Sequence, residues 1–528
     1  MSIVAGVDFG TLSVRVSIFD SRMGYLGSGA AEYPLRRKKE DPDSATESPA
    51  DHMRAFVEAC RKALAAAGVT GGQIEAVAAD ATGSTIVPVG EGLEPLDDYY
   101  MWCDQRAWRE AALITETAQR MNLEAIEWCG GVYPSEGGFS KLLHWLRNNP
   151  EKRHKLVTVL EHADMFPAML CGIEDIGRLP RSIGVAGPKW MWNRALGGLP
   201  PQDYLTAVDP LFAGVRDKLK GRYAKSNEIA GRLTLEWAGR IGLREGTPVS
   251  VGGLDGYWDT LGAGIREGDI VIVLGTSAPI MALARNTSPI PGTCSAAWGS
   301  IHPDMFGIEA GLGASGDIWD AIARRAGTTV TALSRGLEAY RAGQTGLLRL
   351  TWDNGDRSVL VNSELGGVTL GWKLTHTPQD ELFAAFEGAA LHTRVILERF
   401  EEHGVPVRRL ILGGRAPQKN NVVNRVYANA LGKPVLVPRG ETTGLGAAIF
   451  AFLAAGAFQT VEDAQDALCL GYWTVAPDPA AAKIYDGLYA LFKRLYFGFG
   501  HPAAAALGVG DILPALRRVA AESVNPEA

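Results

Sequence analysis

Residues 251–279 read VGGLDGYWDTLGAGIREGDIVIVLGTSAP, and two features of this stretch bear on fold and chemistry. The carboxylate of Asp255 follows two glycines and a leucine, and the apolar run from Ile270 to Leu274 predicts a buried strand that ends at Gly275-Thr276-Ser277. Glycine lets a ligand approach the backbone closely, and Gly-Thr-Ser offers N–H and hydroxyl donors to an oxyanion. The stretch indicates a glycine-lined turn with a base beside a phosphate, although a glycine-flanked aspartate is also common in ordinary turns.

The same plan occurs near the start of the chain. Ile3 to Phe9 is an apolar run, Gly10-Thr11 follows it, and a second alternating run leads to Asp20. Both segments predict strand, tight turn and strand, and two copies half a chain apart indicate two related domains. Asp8 interrupts the first apolar strand, where a carboxylate is costly unless it is paired or serves a cation. A satisfied structural acid is the alternative for this position.

Composition limits the class of protein. With 528 residues, 46% of them hydrophobic and 21% charged, the chain is globular and too long for one hydrophobic core. A net charge of -7 argues against nucleic acid or an anionic membrane as a partner. The N-terminus lacks the basic region and cleavage site of a signal peptide, and no apolar run reaches the length of a membrane span. We therefore expect a cytoplasmic protein of two large domains.

Cysteine and histidine spacing gives no sign of a metal centre. The chain has six cysteines and nine histidines, with no C-x-x-C pair and no H-E-x-x-H. Neither a disulfide framework nor a zinc site is predicted, and the cysteines are expected to be reduced packing residues.

Further candidate residues lie after predicted strands and beside aromatic residues. The strand predicted from Ile74 to Asp80 runs into the loop ADATGST, which crowds Asp80 and Thr82 where α/β folds place ligands. Lys189 stands beside Trp190, and a surface lysine with its stem on tryptophan is the alternative to a binding role. These loops predict a ligand site with polar side chains.

Helix and glycine patterns complete the outline. Apolar spacing predicts helices over residues 48–67 and 380–402, and a strand over 410–412 leads into Gly413-Gly414. Residues 311–316 match G-x-G-x-x-G formally. We discount this match as a dinucleotide site because no clear βαβ unit with a suitably spaced acid surrounds it.

Taken in order, several motifs resemble those of the FGGY carbohydrate kinases over nearly the whole chain, and within that family the ribulokinases most. They are VDFGTLSVR from Val7, DATGST from Asp80, GGVYPSE from Gly130, AGPKWMWN from Ala186, GGLDG from Gly252, LGTS from Leu274, GIEAGLGASGD from Gly307 and GGRAPQKNNVVNRVYANALGKPV from Gly413.

The resemblance implies an α/β fold with two actin-like, hexokinase-type domains related to ribonuclease H, separated by a cleft. Residues 1–262 would form the N-terminal domain with the sugar side and the first phosphate turn, and residues 263–528 the C-terminal, nucleotide-binding domain. Implied partners are a small sugar and ATP, with Mg²⁺ as a cofactor, and a homodimer is allowed.

The family also implies roles for individual positions. By that similarity, the catalytic base is Asp255; the sugar contacts are Ala81 or Thr82, Lys189, Asp255 and Glu309; the phosphate and nucleotide contacts are Gly10, Thr11, Gly275, Thr276, Ser277, Gly413 and Gly414; and Asp8 reaches Mg²⁺ directly or through water.

The implied activity is ATP-dependent phosphorylation of a ketopentose, L-ribulose to L-ribulose 5-phosphate, as in arabinose catabolism. No G-x-x-x-x-G-K-[ST] occurs, so the nucleotide site is not of the P-loop kind. CDQRAW from Cys103 and the Arg415-Ala416 pair depart from the ribulokinase pattern, which leaves D-ribulose, xylulose and sugar alcohols as alternative acceptors.

Two alternatives come from other classes. An actin- or chaperone-like protein would share the paired turns but would not need the polar groups of Asp255, Lys189 and Glu309. A nicotinamide dehydrogenase would depend on the discounted glycine motif.

Overall fold

The computed structural model of the chain describes residues 2–440, 442, 444–501 and 508–524. They form two compact units, each assembled from separate segments of chain. The first unit contains Met1–Gly264, Ser295–Gly307 and Gly440–Cys469, and the second contains Ile265–Cys294, Ile308–Arg439 and Leu470–Ala528. The division of the sequence at residue 262 stays a prediction about domain boundaries.

The strands, in chain order, are β1 (Ile3–Phe9), β2 (Ser13–Asp20), β3 (Gly24–Glu32), β4 (Arg36–Lys38), β5 (Asp41–Glu47), β6 (Ile74–Ala81), β7 (Ile86–Val89), β8 (Tyr99–Tyr100), β9 (Thr158–Glu161), β10 (Pro180–Ser182), β11 (Arg222–Ala224), β12 (Ile229–Arg232), β13 (Pro248–Ser250), β14 (Gly253–Leu254), β15 (Asp269–Val273), β16 (Ala278–Ala284), β17 (Ser295–Trp298), β18 (Phe306–Leu312), β19 (Leu348–Leu350), β20 (Val368–Leu370), β21 (Arg409–Gly413), β22 (Val435–Pro438) and β23 (Tyr472–Val475).

The α-helices are α1 (Pro49–Ala67), α2 (Trp108–Arg120), α3 (Gly138–Asn148), α4 (His162–Leu170), α5 (Ile183–Trp190), α6 (Gln202–Val208), α7 (Val215–Lys218), α8 (Leu235–Ile241), α9 (Asp255–Gly262), α10 (Gly316–Arg325), α11 (Val330–Leu333), α12 (Pro378–Glu402), α13 (Arg415–Lys419), α14 (Asn421–Leu431), α15 (Leu445–Ala454), α16 (Val461–Leu468), α17 (Pro479–Gly500) and α18 (Ile512–Val524).

The central sheet of the first unit has the strand order β12-β13-β6-β1-β2-β3, with β14 also paired to β6. Strand β1 runs antiparallel to β2 and parallel to β6. Helix α1 packs closely on β3, because a Cβ atom at Gly29 would lie only 2.4 Å from the carbonyl oxygen of Ala59. Helix α15 packs closely on β1, where a Cβ atom at Gly6 would meet the carbonyl oxygen of Gly444 at 2.6 Å. Glycine therefore sets the helix–sheet distance at both contacts.

The sheet of the second unit follows the same plan, with the strand order β23-β22-β21-β15-β16-β18. Its first hairpin, β15 and β16, is antiparallel, and β15 runs parallel to β21 as β1 does to β6. The outer pair β22 and β23 is antiparallel, as are β12 and β13. The two units thus repeat one topology, which confirms the two related α/β domains predicted from the repeated motif.

Helix α12 is the longest in the list above, and its ends and its packing follow from sequence. Thr377 and Asp380 form a capping box, and Pro378 occupies the first turn. A Cβ atom at Gly388 would approach the carbonyl oxygen of Arg349 on β19 to 2.4 Å. A larger residue there would push the helix away from the strand, so the small residues in its middle permit the close contact.

A second sheet of the first unit, in the order β4-β5-β8-β7-β9, lies beside a core of large aromatic side chains. Phe139 and Trp145 of α3 are fully buried there, together with Phe212. In the part of the chain that the structure describes, no helix is long and apolar enough to cross a membrane. All six cysteines are free thiols, as predicted.

The predicted strands over 3–9, 74–80, 270–274 and 410–412 correspond to β1, β6, β15 and β21, and both predicted helices correspond to α1 and α12. The glycine-lined turn expected around Asp255 is wrong. Gly253 and Leu254 form the short strand β14 beside β6, and Asp255 opens helix α9 directly after it. Because Gly253 and Leu254 pair with β6, their backbone is extended and does not form a turn.

Candidate active site

The first predicted phosphate turn is the hairpin between β1 and β2. The N–H of Gly10 donates to the carbonyl of Ser13 at 3.0 Å, and the Tyr33 hydroxyl donates to the Gly10 carbonyl at 2.5 Å. Burial, with the charges of Glu47, Asp8 and Asp255, raises the pKa of Tyr33, so its phenol keeps the proton that it donates. The indole N–H of Trp102 donates to the hydroxyl of Thr11 at 2.9 Å. Sequence reasoning missed both aromatic supports of this hairpin.

The second predicted phosphate turn lies beside the predicted adenosine turn in the second unit. The N–H of Gly275 donates to the Ser277 carbonyl at 3.1 Å, and the N–H of Leu274 donates to the Gly413 carbonyl at 3.0 Å. Gly414 has a φ of +85°, and a Cβ atom there would lie 2.6 Å from the Leu274 carbonyl oxygen. Gly414 is therefore required by the fold, because it lets the two turns touch.

Three other glycines of these turns are not required by packing. A Cβ atom at Gly10 would meet nothing closer than 3.5 Å, one at Gly275 nothing closer than 3.8 Å, and one at Gly413 nothing closer than 3.6 Å. None of the three has a positive φ. Each of these backbones has room for about a methyl group, which is compatible with the close approach of a phosphate.

The formal G-x-G-x-x-G match does lie between a strand and a helix, β18 and α10, a context that sequence reasoning did not expect. Its amides are occupied, however. The N–H of Ser315 donates to the Thr276 carbonyl at 2.8 Å, and that of Gly316 to the Gly275 carbonyl at 2.9 Å. These N–H groups bond the predicted phosphate turn at Gly275 and Thr276, so they do not point at a dinucleotide.

Aspartates from neighbouring elements of the first unit gather at the ends of β1, β6 and β14. Asp8 on β1 lies in register with Asp80 on β6, and Gly253 on β14 pairs with Asp80 on its other side. Asp80 is 2% exposed. Burial raises its pKa well above the usual range, and the charges of Asp8, Asp259 and Asp255 raise it further. Burial and these charges therefore favour the protonated form of Asp80.

The loop after β6 brings predicted sugar contacts together. Ala81 and Thr82 are buried, and the Thr82 hydroxyl bonds that of Thr85 at 2.8 Å. A Cβ atom at Gly83 would lie 3.2 Å from Cε of Lys189 and 3.3 Å from a methyl group of Leu254, the residue before Asp255. The Lys189 stem thus packs along this loop next to the start of α9.

Lys189 is not a surface lysine. It is 8% exposed on helix α5, whose carbonyl at this position accepts the Tyr133 hydroxyl at 2.6 Å. The neighbouring indole of Trp190 donates to Glu161 at 2.9 Å, and the other carboxylate oxygen of Glu161 accepts the N–H of Thr85 at 3.1 Å. Glu161 thereby links the helix that carries Lys189 to the Thr82–Thr85 loop.

Lys141 also supports that loop and was missed. It is fully buried on α3, and its Nζ donates to the carbonyls of Ser84 at 2.5 Å and Met101 at 2.6 Å. Burial lowers its pKa to about 8. A lysine within the apolar stretch GGFSKLLHWL was the available signal, since a buried lysine needs carbonyl or carboxylate partners.

Glu309, the remaining predicted sugar contact, belongs to the second unit. It lies on β18 and is 5% exposed. The guanidinium of Arg357 donates to its carboxylate at 2.8 Å. Arg357 had no sequence signal, because the two residues are far apart in the chain.

Within the described ranges, no three His, Cys, Asp or Glu side chains are grouped so that they could enclose a metal ion. Such an all-protein cage is not what Mg²⁺ usually requires, because it is commonly held by one or two carboxylates, water and substrate phosphates. Asp8, which lies two residues before the turn at Gly10, fits a metal bound in that way.

Two family matches cover most of the chain. Residues 3–262 match the N-terminal domain of the FGGY family of carbohydrate kinases, and residues 270–455 match its C-terminal domain. The chain belongs to the FGGY family of carbohydrate kinases. This FGGY kinase is 30% identical to a ribulokinase of Geobacillus thermodenitrificans, with 97% of this chain and 96% of the relative covered. It is 31% identical to a ribulokinase of Mycolicibacterium smegmatis, with 94% of each covered.

Solved structures share the two-domain fold of this FGGY kinase. A xylulose kinase from Rhodospirillum rubrum superposes with a TM-score of 0.81 at 22% identity, covering 94% of this chain and all of that one. A Plasmodium falciparum glycerol kinase with ADP has a TM-score of 0.78 at 14% identity, covering 93% and 97%. The chain is therefore a carbohydrate kinase, and neither the dehydrogenase nor the chaperone-like alternative is retained.

Proposed function

We propose that this FGGY kinase transfers the terminal phosphoryl group of ATP to the terminal hydroxyl of a ketopentose, with L-ribulose as the favoured acceptor. The observation that carries the reaction type is the aspartate cluster of the first unit. Burial and neighbouring charge raise the pKa of Asp80 and favour its protonated form, and Asp8 and Asp255 are proposed to act as carboxylates with different tasks.

Asp255 is the proposed base. A sugar hydroxyl is a weak nucleophile near neutral pH, and a carboxylate within hydrogen-bond reach can orient it and accept its proton. The hydroxyl oxygen forms the new bond to the γ-phosphorus, the bond from that phosphorus to the bridging oxygen breaks, and ADP leaves. The hydroxyl proton passes to the Asp255 carboxylate. Its position at the start of α9, next to the Lys189 stem and the Thr82 loop, supports this role.

The phosphate groups would lie against the two glycine turns. Gly10 and Thr11 of the first unit, with Gly275, Thr276 and Ser277 of the second, offer N–H and hydroxyl donors at hairpins whose glycines leave room for a ligand. Gly413 and Gly414 would receive the adenosine. The N-terminal domain would accordingly supply the sugar side and the C-terminal domain the nucleotide side.

Asp8 would contact Mg²⁺, directly or through water. The metal supplies charge stabilisation for the phosphates when bound. Residues of this chain would hold Asp8 in position. Tyr33 and Trp102 hold the hairpin that follows Asp8, and the protonated Asp80 donates to Asp8 and fixes its orientation.

The choice of acceptor rests on the relatives and on four positions of this chain. Both relatives named above for their sequence identity are ribulokinases. The resemblance to ribulokinases assigns Ala81, Thr82, Lys189 and Glu309 to the ketose. Hydroxyl stereochemistry is read by a few such contacts. D-ribulose, xylulose and sugar alcohols are the rival acceptors, and arabinose breakdown is the setting that L-ribulose would imply.

The test is an ATP-consumption screen of the purified protein against pentuloses, pentoses, polyols and glycerol, with mass and ³¹P NMR analysis of the product. L-Ribulose should give the highest kcat/KM and a 5-phosphate. Preference for a polyol or an aldose would refute the ketopentose assignment. An Asp255→Asn preparation purified in parallel controls for contaminating kinases, because its turnover should be at least about a hundredfold lower.

A further inference from the structure

The connection between β19 and β20 contains a strained segment. Val359 has a φ of +79° and Val361 a φ of +50°. A β-branched side chain rarely adopts a positive φ, because Cβ crowds the backbone there, and such strain persists only where the surroundings enforce it. Two such residues so close together indicate that the position of this loop matters.

Helix α17 holds the loop from one side. The hydroxyl of Tyr496 donates to the carboxylate of Asp356 at 2.5 Å and lies 3.1 Å from the carbonyl of Ser358. The indole of Trp352 donates to the same Asp356 oxygen at 2.9 Å. Asp356 is 3% exposed and Ser358 is fully buried, so these bonds are shielded from water.

The sheet of the second unit holds the loop from another side. The N–H of Val359 donates to the carbonyl of Gly292 at 2.7 Å, and a Cβ atom at Gly292 would lie 2.7 Å from the backbone of Val359. The hydroxyl of Ser358 accepts the N–H of Gly311 on β18 at 2.8 Å. Gly311 is two residues beyond Glu309 on the same strand.

Between these attachments the loop carries Arg357, which pairs with Glu309 at 2.8 Å. The Glu309 side chain is 6% exposed and that of Arg357 is 29% exposed. A carboxylate that is nearly buried is costly without an opposite charge, and a guanidinium that pairs with one of its oxygens fixes its orientation.

We propose that Arg357 is a positioning residue for the acceptor sugar, which acts by holding the Glu309 carboxylate in place, and that the strained loop exists to deliver it. The inference rests on the proposed function for the sugar role of Glu309. The acceptor class is a neutral polyhydroxylated sugar that donates hydroxyl protons to that carboxylate.

The test compares steady-state constants for both substrates in the wild type, Arg357→Gln, Arg357→Lys and Tyr496→Phe. Arg357→Gln should raise the KM for the acceptor about tenfold or more, while the KM for ATP changes less than twofold. Arg357→Lys keeps the charge and should recover part of that loss. Tyr496→Phe loosens the loop without touching the ion pair and should raise the acceptor KM a few-fold. Arg325→Gln, which removes an exposed ion pair with Glu381, is the matched control and should change neither KM.

A double variant shows whether Arg357 acts through Glu309. In the Glu309→Gln background, Arg357→Gln should add less than about twofold to the acceptor KM. A full additional tenfold loss, or a rise in the ATP KM instead, would overturn the inference even if L-ribulose is the acceptor. If the screen finds another acceptor, the proposed ketopentose is wrong, and the same constants measured on that acceptor still decide the role of Arg357.

Discussion

Asp8 and Asp80 lie in register on adjacent parallel strands, and their carboxyl groups share a hydrogen bond. Two carboxylates this close do not both ionise readily, and the buried Asp80 retains the proton because desolvation adds to the repulsion. The pair therefore resembles an acid beside a carboxylate, in which Asp80 serves as a donor and Asp8 as an acceptor.

Replacing Asp80 and replacing Asp8 should have different effects on kcat. Asp80→Asn keeps a neutral side chain of the same size with an N–H donor, so we expect kcat within about threefold of the wild type. Asp8→Asn removes the charge proposed to face Mg²⁺, and its kcat should fall at least about tenfold, with partial recovery at higher Mg²⁺. The kcat of each variant is measured across a Mg²⁺ titration. Equal losses in the two variants would contradict the assignment of the proton to Asp80.

Asp255→Asn tests the base. Asparagine keeps the size and one oxygen acceptor but cannot take the hydroxyl proton, so sugar and nucleotide should still bind. Single-turnover phosphorylation should slow by roughly 10² to 10⁴, or about 3 to 5 kcal/mol in the barrier. Calorimetry on the same preparation measures sugar binding. A folded variant that works within about threefold of the wild type would remove Asp255 from this role.

Local pattern predicted the parts of the fold that depend on neighbours in sequence. Alternating apolar residues and the Gly-Thr pair were sufficient to predict the β1–β2 and β15–β16 hairpins, because strand and turn preferences are set within a few residues. The 3.6-residue spacing likewise predicted α1 and α12 to within a few residues of their ends.

Pairings between distant segments could not be predicted in this way. The contact of Asp80 with Asp8 depends on β6 lying parallel to β1, and Arg357 reaches Glu309 only because the loop after β19 is tied to β18. Asp255 was expected in a turn for the same reason, since nothing local indicates that Leu254 pairs with β6. Family resemblance proposed the reacting groups from sequence, but it did not indicate the residues that contact them in the fold.

A buried pair in the first unit predicts how stability depends on pH. Burial raises the pKa of Glu47 to about 8 and lowers that of His52 to about 3, and the two side chains touch at 2.6 Å. Below about pH 6.5, His52 is protonated in the unfolded state but not in the folded state. This difference offsets the extra proton that Glu47 holds in the folded state. Between pH 6.5 and 8, Glu47 is the member of this pair that holds an extra proton in the folded state, so its contribution to stability should fall as pH rises through this window.

The expected loss is up to about 2 kcal/mol in the free energy of unfolding between pH 6.5 and 8. Glu47→Gln cannot titrate but can still donate to His52, so the pH slope in this window should be smaller in the variant. Urea denaturation at three pH values measures both slopes. Asp164 and Glu387, whose pKa values burial raises to about 7, act in the same direction in both proteins and cancel in the comparison. Identical slopes would show that Glu47 is already ionised in the folded protein.

Substitutions at two glycines of the proposed nucleotide-binding turns should separate an effect on ligand binding from an effect on folding. Gly275→Ala adds a methyl group where the nearest atom is 3.8 Å away and φ is not positive, so the variant should keep the melting temperature of the wild type within a degree or two. Gly414→Ala forces alanine into a φ of +85° and against the Leu274 carbonyl at 2.6 Å, and it should lower the unfolding free energy by at least about 1 kcal/mol.

If Gly275 is a glycine so that a phosphate can approach it, Gly275→Ala should nevertheless raise the KM for ATP about tenfold and leave the acceptor KM unchanged. Thermal melts and two-substrate kinetics on both variants make the comparison, and a Gly275→Ala protein with normal ATP kinetics would exclude this turn from the phosphate site.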